Sequence, residues 1–101
     1  MTDQIKHHII GGVYAKEALI QKGGYVVKHK HNFSHMSIMV SGHASVIVSG
    51  MATEYTGFNV IEIEANQSHS IIALEDTIWL CVHATDETDP AKVDHELIRH
   101  E

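Results

Sequence analysis

Cysteine, proline and basic residues are scarce in this chain of 101 residues, and each shortage excludes something. A single cysteine, Cys81, cannot close an intramolecular disulfide, so the fold does not depend on an oxidising compartment. With one proline and seven glycines, no linker or low-complexity segment divides the chain. Seven basic residues against thirteen acidic ones give a net charge of −6, which argues against nucleic acid or an anionic membrane as a partner. Long apolar runs are missing too: the longest, Ile78–Val82, is five residues, far short of a membrane span. The opening MTDQIKHHIIGG lacks the apolar core of a signal peptide. A soluble, cytoplasmic protein is expected, with residues 1–101 forming one domain around a modest core. What is abundant instead is histidine, at ten residues.

Most of the chain reads as short strands separated by turn residues. Segments 13–21, 25–31, 35–41, 44–50, 52–57, 59–64, 69–74 and 77–84 are apolar or alternating, and Gly, Asn, Ser and Asp stand between them. Ser41-Gly42-His43 is read as a hairpin joining 35–41 to 44–50, and Glu75-Asp76 as a hairpin joining 69–74 to 77–84. Strands spaced this regularly predict an all-β antiparallel sandwich or barrel. The tail differs. Asp89-Pro90 is a helix start, with a capping carboxylate before proline at the first helical position. Val93, Leu97 and Ile98 then make one apolar stripe, predicting a short C-terminal helix over about 90–99.

Histidine concentrates in GGYVVKHKHNFSH, residues 23–35. Alternation along a strand sends His29 and His31 to one face with Tyr25 and Val27, and Val26, Lys28 and Lys30 to the other. His35 opens the next strand, and His69 opens a later one after a turn. Neighbouring strand ends can bring these four rings into one barrel mouth. Four core histidines without a metal are the alternative, but their nitrogens would need other partners, and charged rings would repel one another.

The spacing resembles the first motif of the cupin family: Gly23, five residues, His29-Lys30-His31, three residues, His35, six residues, Gly42. Histidine stands at 35 where that family usually has glutamate. The second motif is matched at Gly57 and His69, over 57–73, with one extra residue after Gly57. There Glu64, Asn66 and Ala73 replace the usual proline, glycine and asparagine. The chain is also similar to small single-domain cupins with four histidines. That resemblance implies a cupin-type barrel, a double-stranded β-helix or jelly roll. It implies one divalent transition metal (manganese, iron, nickel, copper or zinc) on His29, His31, His35 and His69. It also favours a homodimer, since cupins commonly pair through apolar sheet faces.

An all-imidazole set leaves the 2+ charge of the metal uncompensated, so the site should attract an anionic ligand and resist oxidation of the metal. Octahedral geometry would leave two adjacent positions for a bidentate molecule, dioxygen or peroxide; tetrahedral zinc would leave none. Tyr25, Met39, Trp79 and Cys81 are candidate pocket lining by parity, with Phe33 beside them and ordinary core packing as the competing reading. Thr77, Trp79, Cys81 and His83 share one strand face, and His83 is read as structural. His7, His8, His43, His95 and His100 are read as solvated, and Glu62 and Glu64 as an exposed face. Met36, Ile38 and Val40 form an outward apolar set that a terminal segment or a second subunit should cover. No carboxylate falls at a clear pocket position. Three functions stay open: a metal-dependent oxidoreductase of dioxygenase type, a metal-anchored small-molecule binding or sensor module, and a purely structural metal domain.

Overall fold

A computed structural model describes the backbone of residues 2–31, 34–64, 66–84 and 98–99, with side chains over 4–26, 34–64 and 66–84. Ten strands occur among these residues: β1 Thr2–Ile10, β2 Val13–Ile20, β3 Tyr25–His31, β4 His35–Ser41, β5 His43–Val48, β6 Met51–Thr56, β7 Asn59–Ile63, β8 Ser68–Ala73, β9 Thr77–Ala84 and β10 Ile98–Arg99. They form two five-stranded sheets, ordered β1-β2-β9-β4-β7 and β10-β3-β8-β5-β6, and every pairing is antiparallel. The core lies between the sheets. Ala18, Ile20, Met39, Ile61, Ile63 and Trp79 from one face Ala44, Val46, Ile71 and Ala73 from the other.

Two connections are tight hairpins. Gly11-Gly12 joins β1 to β2 and Ser49-Gly50 joins β5 to β6; all four residues have positive φ, as two-residue loops matched to strand twist require. The two hairpins expected at Gly42 and at Glu75-Asp76 are not hairpins. β4 and β9 belong to the first sheet, and β5 and β8 to the second, so both turns carry the chain across the sandwich. Turn residues report that the chain reverses, not which sheet receives it. At Gly42 the crossing is tight: φ is 114°, and a Cβ there would lie 2.5 Å from the Asp76 carbonyl oxygen and from Thr77 Oγ1. Only glycine fits.

Parity fails within β3. Val26 pairs with Ile71 and His29 with His69, so β3 advances three residues while β8 advances two. The extra residue is a β-bulge, and it inverts the alternation. Tyr25 therefore pairs with the outward Ile72 and is 54% exposed, while Val26 turns inward and packs on the core. Tyr25 does not line an interior pocket.

The N-terminal segment is strand β1, hairpinned onto β2 at the edge of the first sheet; it does not cover the outward face of β4. The expected C-terminal helix lies outside the described residues over 90–97. Its last two positions, Ile98 and Arg99, are instead paired as a strand with His31 and Lys30. No helix occurs among the described residues, so none there is long and apolar enough to cross a membrane.

Candidate metal centre

Strand order and direction bring the histidines to one end of the sandwich. His35 starts β4, His69 lies at the start of β8, and His83 lies near the end of β9. His35 is 5% and His69 2% exposed, and their ring centroids are 6.3 Å apart across the two sheets, tilted by 51°. His29 is the register partner of His69, and His31 ends the same strand. The side chains of His29 and His31 are outside the described set, as is Phe33. Among the described side chains, no group of three or more His, Cys, Asp or Glu residues could hold a metal. The two described rings, with β3 beside them, suit a divalent transition metal in donor type: buried imidazoles from separate strands make a rigid, nitrogen-only set.

Around these rings the inner face of the first sheet is ordered in rows. Tyr14 pairs with His83, Lys16 with Cys81, and Ala18 with Trp79. Across β9, Ser37 pairs with Cys81 and Met39 with Trp79. Ser37 is fully buried, and its Oγ lies 3.3 Å from His35 Nε2, with the donor set by the imidazole tautomer. Sequence reading passed over Ser37 and Lys16. The signal was parity, since Ser37 is two residues from His35 and Lys16 two from Tyr14.

His83 is 9% exposed and donates from Nδ1 to the Ala84 carbonyl at 2.9 Å. That bond fixes the tautomer when the ring is neutral, leaving the lone pair on Nε2. Its ring meets Tyr14 edge-on at 5.4 Å, and the Tyr14 hydroxyl is 2.7 Å from His7 Nδ1. His7 is exposed as expected, but bonded to a buried phenol. His43 is half-buried, with Nε2 2.7 Å from Glu54.

Met39 (0%) and Trp79 (2%) sit in the core one row deeper than Cys81, which is half-buried. The Trp79 Nε1–H is buried with no acceptor among the described residues. A donor left in that state costs about 1–3 kcal/mol. Glu62 pairs with Met36 on the outer face and is exposed. An open cleft of ≈ 420 Å³ lies along that end of β4 and β7, lined by Ser34, His35, Met36, Val60, Ile61 and Glu62.

Two five-stranded antiparallel sheets, linked by repeated crossings and carrying histidines at one mouth, make the double-stranded β-helix fold of the cupins. No protein-family model and no curated protein matches the sequence. Among solved structures the chain is similar to KdgF from Halomonas sp., with TM-score 0.73 and 18% identity over 85% of this chain and 81% of that one. A cupin 2 domain-containing protein from Halorhodospira halophila also matches with TM-score 0.73 and 18% identity, over 91% and 73% of the two chains. An RmlC-like cupin family protein from Methanocaldococcus jannaschii matches with TM-score 0.71 and 16% identity, over 90% and 84%. At these identities the likeness is one of fold.

Proposed function

We propose that the chain holds one divalent transition metal through His29, His31, His35 and His69 and acts on a small molecule as an oxidoreductase of the dioxygenase type. The observation that carries this reading is the approach of two buried rings, His35 and His69, at 6.3 Å, with His29 in register beside His69. A metal bound there would supply Lewis acidity and, if it were iron, manganese or copper, one-electron chemistry. The protein's own part is to orient the ligands, keep water from the deep wall formed by Met39 and Trp79, and present Ser37 beside His35.

A second reading, a metal-anchored binding or sensor module, is favoured by a different observation. Among the described side chains no carboxylate stands on an inward face: Glu17, Glu54, Glu62, Glu64, Glu75 and Asp76 lie on outer faces or in loops. The described interior therefore offers no carboxylate for general acid–base work.

Metal analysis of the purified protein tests the centre. About one equivalent per chain is expected, nearly all of it lost in a His31→Ala/His69→Ala double variant that remains folded by circular dichroism. His43→Ala and His95→Ala should retain it. Full metal content in the double variant would refute the assignment.

We further propose that two copies associate through the outer face of β2, β9, β4 and β7. Val13, Met36, Val40 and Val60 are 42%, 43%, 39% and 58% exposed there, around half-buried Ile38, Leu80 and Val82. An apolar patch of this kind, with Glu17 beside Leu80 and Glu62 beside Met36, is costly in water and suits a like surface. Sedimentation should give a dimer that Ile38→Glu weakens at least tenfold. A monomer at high concentration, unaltered by that substitution, would overturn it.

A further inference from the structure

The outer face of the first sheet differs in charge at its two edges. One row of register partners crosses all five strands as His8, Ala15, Val82, Met36 and Glu62. The next runs Lys6, Glu17, Leu80, Ile38 and Val60. β9 is the middle strand, so each row has an apolar centre, with β1 at one edge and β7 at the other. The β1 side carries two basic residues around one acid: His8 Nε2 meets Glu17 Oε1 at 3.0 Å, and Lys6 is the register partner of Glu17. The β7 edge carries acid only, Glu62 within the strand and Glu64 one residue past its end. Lys6 and Glu62 are exposed, and neither forms an ion pair with a described residue.

When two copies pair through the same face, the direction of the two-fold axis decides which edges meet. An axis across the strands sets β1 on β1 and β7 on β7, acid against acid. An axis along β9 sets β1 of each copy over β7 of the other, base against acid, with Val82 and Leu80 on the same residues of the second copy. β1 and β7 each lie two strands from β9, about 10 Å. Packed sheets cross at about 30°, which moves an edge about 5 Å along the strand, less than the spacing of two rows. Lys6 and His8 therefore both stay within reach of Glu62.

The cleft beside His35 opens on this face, since Met36, Val60 and Glu62 line it together with His35. We propose that two copies pair about an axis along β9, so that the partner's Lys6 and the partner's His8 lie against Glu62 and β1 of the second copy roofs the cleft beside His35. The inference rests on the metal and pairing readings above and fixes the geometry that they leave open. It makes the approach to the metal centre a feature of the dimer, incomplete in one chain.

Charge exchange tests the axis. In sedimentation equilibrium, Lys6→Glu and Glu62→Lys should each weaken self-association about tenfold, because each homodimer then holds two like-charged contacts. An equimolar mixture of the two variants should associate about as tightly as wild type, since both contacts then join opposite charges. Both positions are exposed, and circular dichroism should show both variants folded. Variants that associate as wild type does, or a mixture no tighter than its components, overturn the axis and leave the pairing standing. A monomeric wild type refutes the pairing and this geometry with it. The roof over the cleft is read separately, from the rate at which excess EDTA strips zinc from the loaded full chain. That rate should fall about fivefold as wild-type protein is raised through its dimerisation midpoint, and should stay constant for Lys6→Glu over the same range. A rate independent of concentration in a dimer seen by sedimentation overturns the roof. Wild type that takes up no zinc refutes the centre instead and leaves the test of the axis intact.

Discussion

At the end of the sandwich where Gly42 crosses between sheets, backbone groups satisfy one another. The His43 carbonyl accepts from the Leu74 and Glu75 N–H groups at 2.8 and 3.1 Å. The Gly42 carbonyl accepts from Gly57, Ala73 bonds Gly23 and Gly24, and the Asp76 carboxylate caps the Lys22 N–H at 2.8 Å. At the opposite end the polar groups are side chains: His35, His69, His83, Ser37 and Tyr14, buried and aimed between the sheets. One end spends its hydrogen bonds on closing the fold; the other buries imidazoles that meet side chains and, at His83, the Ala84 carbonyl. The contrast separates stability from chemistry by about the length of a strand, so each can be altered with little effect on the other.

The strongest way to break this division is Gly42→Ala. Alanine would have to hold φ near 114° with its Cβ against the Asp76 carbonyl and Thr77, and neither contact is a flexible chain end. A loss of about 3 kcal/mol is expected in denaturant unfolding. Metal bound per folded molecule should be unchanged, and a parallel loss of metal affinity would show that the two ends are coupled.

How much of this was legible in the sequence depends on the physical range of each signal. Strand positions are local, and β4 and β9 have the bounds that alternation and turn residues indicated, His35–Ser41 and Thr77–Ala84. Sheet membership is not local: Gly42 and Glu75-Asp76 look like hairpin turns because the residues that reverse a chain are the same in both cases. The bulge in β3 was hidden for another reason. YVVKHKH has no glycine to mark an inserted residue, so the displacement of Tyr25 is visible only against the register of β8. The candidate site was legible as a spacing of histidines. Its surroundings, Ser37 and Lys16, were not, because a serine or lysine at inward parity has no distinctive spacing.

A smaller test sharpens the same comparison. Thr77 is fully buried at the Gly42 end, and its hydroxyl donates to the Glu75 carbonyl at 2.9 Å, with the His43 carbonyl at 3.3 Å. Thr77→Val keeps the shape and removes the donor. About 1 kcal/mol should be lost in thermal or denaturant unfolding, since the His43 carbonyl retains two N–H donors. No change in metal content is expected, and a change would place Thr77 in the chemistry of the other end.

The least energetic test bears on whether the histidine end supports oxidation. Cys81 lies on the inner face between Lys16 and Ser37, one row from His83, and is only half-buried. A thiol so placed is the nearest soft side chain to any oxidation promoted at the centre. With peroxide supplied as oxidant, the thiol becomes a sulfenic acid and peroxide is reduced to water, with further oxygen added by further peroxide. Exposure alone would oxidise Cys81 at the same rate with or without metal, so the informative quantity is the difference between iron- or manganese-loaded and metal-free samples. Intact-mass and peptide spectra should show oxygen on Cys81 in the loaded sample and little in the metal-free one, with the His31→Ala/His69→Ala variant resembling the latter. Equal oxidation in all three, or none, would remove the case for redox chemistry and leave the metal-anchored binding module as the better account of the same residues.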